Sequence, residues 1–346
     1  MKTMTSKERI DAVLAHKPVD RIPFCLVDGG AWIAQTENIT YRTMYGTEDG
    51  GAAKIVKWTD ELETDIVSAV SGVFTAPLNA FGCPIHIDSV GQPVNAGIAL
   101  HNPEEEIPKL DHGTIREKLL ANEFVQNMLK QCRNVKKLVG DRKYLIGDIA
   151  APFTMAAVMV GTQDFIMLML DEPELVKRLI DFTTHVSAEV FRLLHENGCD
   201  IAFPADPVAS GNLISPGMYE EWALPALKNL KNMLPEYKYF FAHICGASGE
   251  RVGALRDAGI HAFSCDWSVD LDSALENAEG KMVIFGNINP AGSLLTGKPE
   301  EVYAEACERI KVAAGRPYIL ATGCDMGSAT PLENVKMLLK ACKDCV

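Results

Sequence analysis

The sequence predicts a single (β/α)8 barrel of the TIM type, with an N-terminal helical extension and a β-hairpin insertion in its first half. Eight short apolar runs read as buried strands, and amphipathic helical stretches lie between most of them. That alternation implies βαβ units and a parallel sheet. Eight strands favour a closed barrel over an open doubly wound sheet. No Gly/Ser-rich linker or low-complexity tract divides the chain, so residues 1–346 read as one domain.

Ser6 to His16 reads as the first helix, with Ile10, Val13 and Leu14 at helical spacing, Ser6 with Arg9 as an imperfect N-cap, and Pro18 as the stop. Arg21 to Asp28 is an apolar run ending in Gly29-Gly30, hence a buried strand and a turn. The remaining strands are read at Asp65–Val70, Tyr144–Asp148, Cys199–Phe203, Tyr239–His243, His261–Cys265, Met282–Gly286 and Tyr318–Thr322. Glu174 to Asn197 carries Leu175, Val176, Leu179, Ile180, Val186 and Leu193 among charges, and Pro173 suits a helix start. Tyr219 to Leu234 and Gly249 to Ala258 read the same way. The stretch from Cys83 to Arg142 departs from the theme. Pro84, Pro93, Pro103 and Pro108, with polar alternation from Ile85 to Ala99, suggest a hairpin followed by a helix near Arg116 to Leu138.

At about 150 residues per domain, 346 residues suggest two domains, but (β/α)8 barrels of about 250 residues or more fold as one. The net charge of −13, without a basic run, disfavours a nucleic-acid partner, since that recognition rests on Lys and Arg neutralising phosphates. No apolar run reaches the ~18 residues of a membrane span. The polar start shows no apolar signal region, so the expected location is the cytoplasm. There the ten cysteines stay reduced, and metal binding or catalysis is favoured over bridges. Cys342-x-x-Cys345 lacks a βαβ setting and reads as reduced and solvent-exposed. Cys265 is expected to pack toward the barrel wall, the Met155, Met159, Met167 and Met169 stretch reads as core packing, and His86, His101 and His112 read as surface residues.

The sharpest chemical signal is His243-Ile244-Cys245-Gly246 at the end of the fifth run. In extended chain, residues i and i+2 point to one side, so His243 and Cys245 can hold one metal between them. The last run ends at Thr322-Gly323-Cys324-Asp325. Strand C-termini of a (β/α)8 barrel meet on the face that carries active sites. Cys324 therefore joins the pair, giving one nitrogen and two sulfurs. Three protein ligands and an open position are the catalytic zinc pattern. A lone H-x-C is weak evidence, because buried cysteine often behaves as a small hydrophobe; the second strand-end cysteine strengthens it. Asp266 can supply an oxygen ligand when substrate is absent, or cap a helix. Asp148, Asp206 and Asn287 also fall at strand ends, where they either line the pocket to orient substrate or cap the following helices.

This set resembles the zinc motif of the methylcobamide:coenzyme M methyltransferases, within the uroporphyrinogen decarboxylase superfamily. The resemblance extends over nearly the whole chain. It includes Arg21-Ile22-Pro23, Pro152-Phe153-Thr154, Ile214-Ser215-Pro216 with Tyr219-Glu220-Glu221, Gly286-Asn287-Ile288-Asn289-Pro290, and Thr330-Pro331-Leu332-Glu333-Asn334. Asn289 stands where the superfamily usually has an aspartate. The arginine-rich N-terminal signature of the decarboxylase is missing, since Phe24 to Trp32 contains no cation.

The resemblance implies the barrel, one zinc ion held by His243, Cys245 and Cys324, and methyl transfer from a methylcorrinoid to a thiol such as coenzyme M. A free thiol has a pKa near about 8.5, and zinc deprotonates it on coordination. No D-x-H-x-x-G cobamide motif occurs, so the methylcobamide is expected on a partner corrinoid protein docking over the barrel mouth. Alternatives are another acceptor, methyl transfer from a small donor to cob(I)alamin, a decarboxylase-like enzyme, or a protein that binds a tetrapyrrole without turnover.

Overall fold

The computed structural model describes residues 3–40, 44, 50–70, 74–87 and 93–345. Seven parallel strands form one curled sheet: β1 (Ile66–Ser68), β4 (Tyr144–Ala150), β5 (Ile201–Ala205), β6 (Tyr239–Ile244), β7 (Ala262–Cys265), β8 (Val283–Ile288) and β9 (Tyr318–Thr322). They lie side by side in chain order, each paired in parallel with the next. The expected hairpin insertion is present as antiparallel β2 (Ile85–Ile87) and β3 (Pro93–Asn95), with residues 88–92 between them outside the described residues. The architecture is α/β, consistent with a TIM-type fold.

The first of the eight expected strands, over Arg21–Asp28, is reduced to a single parallel bridge between Phe24 and Leu320. Cys25 N–H donates to the Leu320 carbonyl at 3.1 Å, and Asp65 N–H donates to the Phe24 carbonyl at 2.7 Å. The segment thus touches β9 on one side and the approach to β1 on the other. Two features shorten it. Pro23 has no N–H to give a ladder, and Asp28, at φ 61°, turns the chain away.

Strand parity builds an inner core. Ile201 and Phe203, Tyr239 and Phe241, Val283 and Phe285, and Ile319 and Ala321 share one buried cluster. Intervening residues such as Ala202, Phe240, Ala242 and Ile284 belong to the larger cluster beneath the helices. Ile10 and Val13 enter the inner cluster from the helix Ser6–Leu14. That helix is capped by Thr5 with Glu8 in a reciprocal box, rather than by Ser6 with Arg9. Beside it, the buried Asp65 accepts from Arg9 at 2.6 Å, from Arg21 at 2.8 Å and from the Phe24 N–H at 2.9 Å. Arg21-Ile22-Pro23 is therefore a structural device. So is Asn334, whose amide donates to the Leu294 and Gly297 carbonyls and ties the last helix to the loop after β8.

The long helix runs from Pro173 to Glu196, and the helix expected near Arg116–Leu138 is split at Asn122 into Ile115–Ala121 and Glu123–Val139. Asn122 itself caps the second piece, accepting from the Phe124 and Val125 N–H groups. Met155, Met159 and Met169 are core residues, whereas Met167 is exposed. The C-terminal cysteines differ from expectation. Cys342 is fully buried, because it shares the inward stripe of Val335 and Leu338 on the helix Leu332–Asp344. Cys345 forms a disulfide with Cys307 on the neighbouring helix Pro299–Val312, with Cα atoms 5.6 Å apart. No single helix among the described residues is long and apolar enough to cross a membrane.

Candidate metal centre

The inward parity of β6 runs Tyr239, Phe241, His243, so the last inward position carries an imidazole above an aromatic floor. His243 is buried, and it lies opposite Ser264 of β7. Its Nδ1 is 3.1 Å from the Ser264 carbonyl oxygen and 3.0 Å from Ser264 Oγ. A carbonyl oxygen only accepts, so Nδ1 carries a proton and Nε2 is the nitrogen left to face the site. That Nε2 stands 3.0 Å from Cys245 Sγ.

Cys245 follows the end of β6, where Gly246 turns the chain at φ 67°. A Cβ at Gly246 would collide with Asn212 Oδ1, which accepts from the Ala247 N–H at 2.8 Å. The turn is therefore locked by the loop after β5. Cys324 arrives from the end of β9. There the Gly323 backbone packs directly on the Trp267 backbone, leaving no room for a side chain. Cys245 Sγ and Cys324 Sγ end 3.5 Å apart.

The three candidate ligand atoms lie within 4.8 Å of one another. A tetrahedral site with bonds of about 2.0–2.3 Å has ligand-to-ligand edges of roughly 3.5 Å, so they already stand near that spacing. They open on a cavity of about 360 Å³ that Asp148, Asp325, Asp28 and the hairpin residue Val94 also line.

The cavity gathers acidic groups whose ionised forms burial disfavours. Burial pushes the Asp148 carboxyl up to about 7; His243 opposes this, and Asp325 and Cys324 add to it. Asp148 Oδ1 is buried without a hydrogen-bond partner. Burial likewise raises Asp325 to about 6, although the Gly29 N–H donates to it. The sulfurs share one hydrogen bond. It pushes the Cys324 thiol down, aided by His243, and pushes Cys245 up. For His243, burial opposes the charged form, but the hydrogen bond and charge of Cys324, with Asp148, outweigh it and raise the pKa. Two sulfurs and an imidazole nitrogen fit a borderline-soft divalent cation.

The other predicted site residues are placed differently. Asp206 is buried and turned to the helix Pro152–Val160, where Oδ1 accepts from the Thr154 N–H at 3.0 Å and from Thr154 Oγ1 at 2.6 Å. It caps the helix of the preceding βα unit rather than its own. Asn287 Nδ2 donates to the Asp266 and Val269 carbonyls at 3.1 and 2.8 Å, and so shapes the loop after β7. Asp266 Oδ1 accepts from the Ser268 N–H at 2.8 Å. It lies outside the set of donor atoms grouped within 4.8 Å. Asp28 and Asp325 were missed. Their signal was present, since each ends or follows a predicted strand on the same face as Cys324.

Fold and site together define an α/β-barrel-like chain with a sulfur-rich donor set at the C-terminal ends of its strands. The chain belongs to the uroporphyrinogen decarboxylase (URO-D) family, whose model matches residues 5–345. It is similar to the methylcobamide:CoM methyltransferase MtbA of Methanosarcina mazei, with 28% identity covering 99% of each chain. It is also similar to the methylcobamide:CoM methyltransferase MtaA of Methanosarcina barkeri, with 27% identity covering 99% of this chain and 98% of the other. Among solved structures, a methyltransferase from Methanosarcina mazei superposes with a TM-score of 0.84 at 24% identity, covering 98% of both chains.

Proposed function

We propose that this chain is a zinc-dependent methyltransferase that moves a methyl group from a methylcorrinoid on a partner protein to a thiol such as coenzyme M. The convergence of His243 Nε2, Cys245 Sγ and Cys324 Sγ at the floor of an open cavity carries this reading. The full-length similarity to methyltransferases named for methylcobamide and CoM supports the donor and the acceptor. In the same reading, Pro23–Cys25 is the short stave that completes a (β/α)8 ring.

His243, Cys245 and Cys324 would hold the ion and leave one position facing the cavity. Zinc bound there supplies the acidity that turns a coordinating thiol into a thiolate. The residues do the rest. Ser264 fixes the imidazole through Nδ1, so that Nε2 stays aimed at the site. Cys245 and Cys324 contribute two negative charges, which keeps a guest sulfur electron-rich. Asp148 Oδ1, buried and unpartnered, is the acceptor available for the proton that the substrate thiol gives up. Val94 and Asn95 of the hairpin line one side of the cavity. A decarboxylase reading is disfavoured by the lining of the cavity. A polycarboxylate substrate needs cations, and among the described residues the cavity is lined by Asp28, Asp148 and Asp325 with no Arg or Lys.

Purified protein should carry about one sulfur-bound zinc per chain and should demethylate methylcobalamin when coenzyme M is added. Cys245→Ala should lose both properties. Retention of zinc and activity by that variant would sink the proposal.

A further inference from the structure

One other group of side chains among the described residues offers metal donors within 4.8 Å of one another: His112, Asp181 and His185. It is remote in sequence from the centre described above, and no residue of that centre belongs to it. Asp181 and His185 are one turn apart on the helix Pro173–Glu196 and so share a face. His112 comes from the short turn His112–Thr114 of the insertion. His112 Nε2 is 3.1 Å from Asp181 Oδ2, and His185 Nδ1 is 3.9 Å from Asp181 Oδ1. The two imidazole rings lie 4.7 Å apart at 89°. His185 Nδ1 also approaches the Asp181 carbonyl oxygen at 2.9 Å. With a proton on Nδ1 for that bond, the lone pair sits on Nε2.

We infer that His112, Asp181 and His185 form a second, surface site for a late first-row divalent ion such as Zn²⁺, which fastens the insertion to the outer helix. Two imidazoles and one carboxylate suit such ions rather than Mg²⁺ or Ca²⁺, which prefer all-oxygen sites. The side chains are 43%, 61% and 42% exposed, so water can complete the coordination and no charge has to be buried. The location gives the ion a mechanical role. His112 already packs edge-on against Phe182 of the same helix, and Phe182 also meets Phe81. Further back, the Ala99 and Leu100 N–H groups both donate to the Met159 carbonyl. An ion at His112 adds a further fastening to the segment whose hairpin residues Val94 and Asn95 line the cavity.

Cobalt(II) titration of the full-length protein tests this. The first equivalent should bring the strong near-ultraviolet charge-transfer band of cobalt–thiolate bonds. A second equivalent, followed by calorimetry, should bind without enlarging that band. His112→Ala and His185→Ala should each lose the second equivalent and keep the first. Cys245→Ser/Cys324→Ser should lose the band and keep the second site. Zn²⁺ should also slow tryptic cleavage at Lys109 and Arg116 in the parent protein and not in His112→Ala. The inference is overturned if the histidine variants bind as much cobalt as the parent, or if the double cysteine variant binds none. Cleavage unaffected by bound Zn²⁺ would overturn the fastening role.

Discussion

His243 and Ser264 are register partners on adjacent parallel strands, and Ser264 offers the imidazole Nδ1 two acceptors, its own carbonyl at 3.1 Å and its hydroxyl at 3.0 Å. The carbonyl belongs to the sheet and survives any substitution. Ser264→Ala should therefore weaken zinc binding by less than ~10-fold, the lower edge of what loss of such an outer partner produces. Competition against a coloured chelator measures it. A loss beyond ~100-fold would mean that the hydroxyl, not the carbonyl, fixes the ring.

Gly246 is the residue on which the Cys245 thiol depends. Its φ of 67° and the absence of space beside Asn212 exclude a side chain. Gly246→Ala should lower stability by about 1–3 kcal/mol and should also reduce bound zinc, because the turn must shift. Gly253→Ala is the control, since a Cβ there meets no atom nearer than 4.0 Å. Equal zinc contents in the two variants would show that the turn does not position the sulfur.

The Arg9–Asp65–Arg21 cluster should respond asymmetrically to its members. Asp65 is fully buried and pairs with two guanidinium groups. Asp65→Ala leaves Arg9 buried with Asp20 as its one ionic partner and the Met4 carbonyl as an acceptor, and should destabilise by about 3–5 kcal/mol. Asp65→Asn should recover part of this by keeping an acceptor for the Phe24 N–H. Urea unfolding of both variants decides the matter. Equal losses would assign the whole effect to charge.

Acid should weaken the fold through Asp20. Burial works against its ionised form, but the hydrogen bonds from Arg9 and the Met4 backbone prevail and hold its pKa down to about 2. The folded value lies below the unfolded value of about 3.9. The stabilisation is thus complete above that pH and is lost as pH falls through about 2. Asp20→Asn should lose on the order of 1–2 kcal/mol at pH ~6 and nothing further at pH ~2, so the two urea-stability curves should converge in acid. Parallel curves would remove Asp20 from the acid response.

The residues explain which parts of this molecule the sequence made legible. Strand parity placed His243 inward and Cys245 beside it, because the period of two is a local property. Cys324 was reachable because barrel topology gathers strand ends whatever their separation in sequence. Asp206 and Asn287 were not decidable in that way. A strand-end side chain can turn to the cavity, to its own helix or to a neighbour's, and Thr154, 52 residues away, settled the first case. The shortened first strand had a visible cause in Pro23, but the turn at Asp28 is a conformation that aspartate tolerates without announcing it. Cys345 read as an exposed thiol because nothing local reveals that Cys307 packs alongside.

The closeness of Cys245 and Cys324 has a practical side. Their sulfurs stand 3.5 Å apart, roughly 1.5 Å more than a disulfide bond length. An ion seated between them keeps both occupied. Once a chelator has stripped it, a mild oxidant can weld the pair shut, and the enzyme would then refuse metal however much is returned. Preparations should therefore be demetallated under reductant, because a sample left in air would be scored as inactive for a reason unrelated to its design.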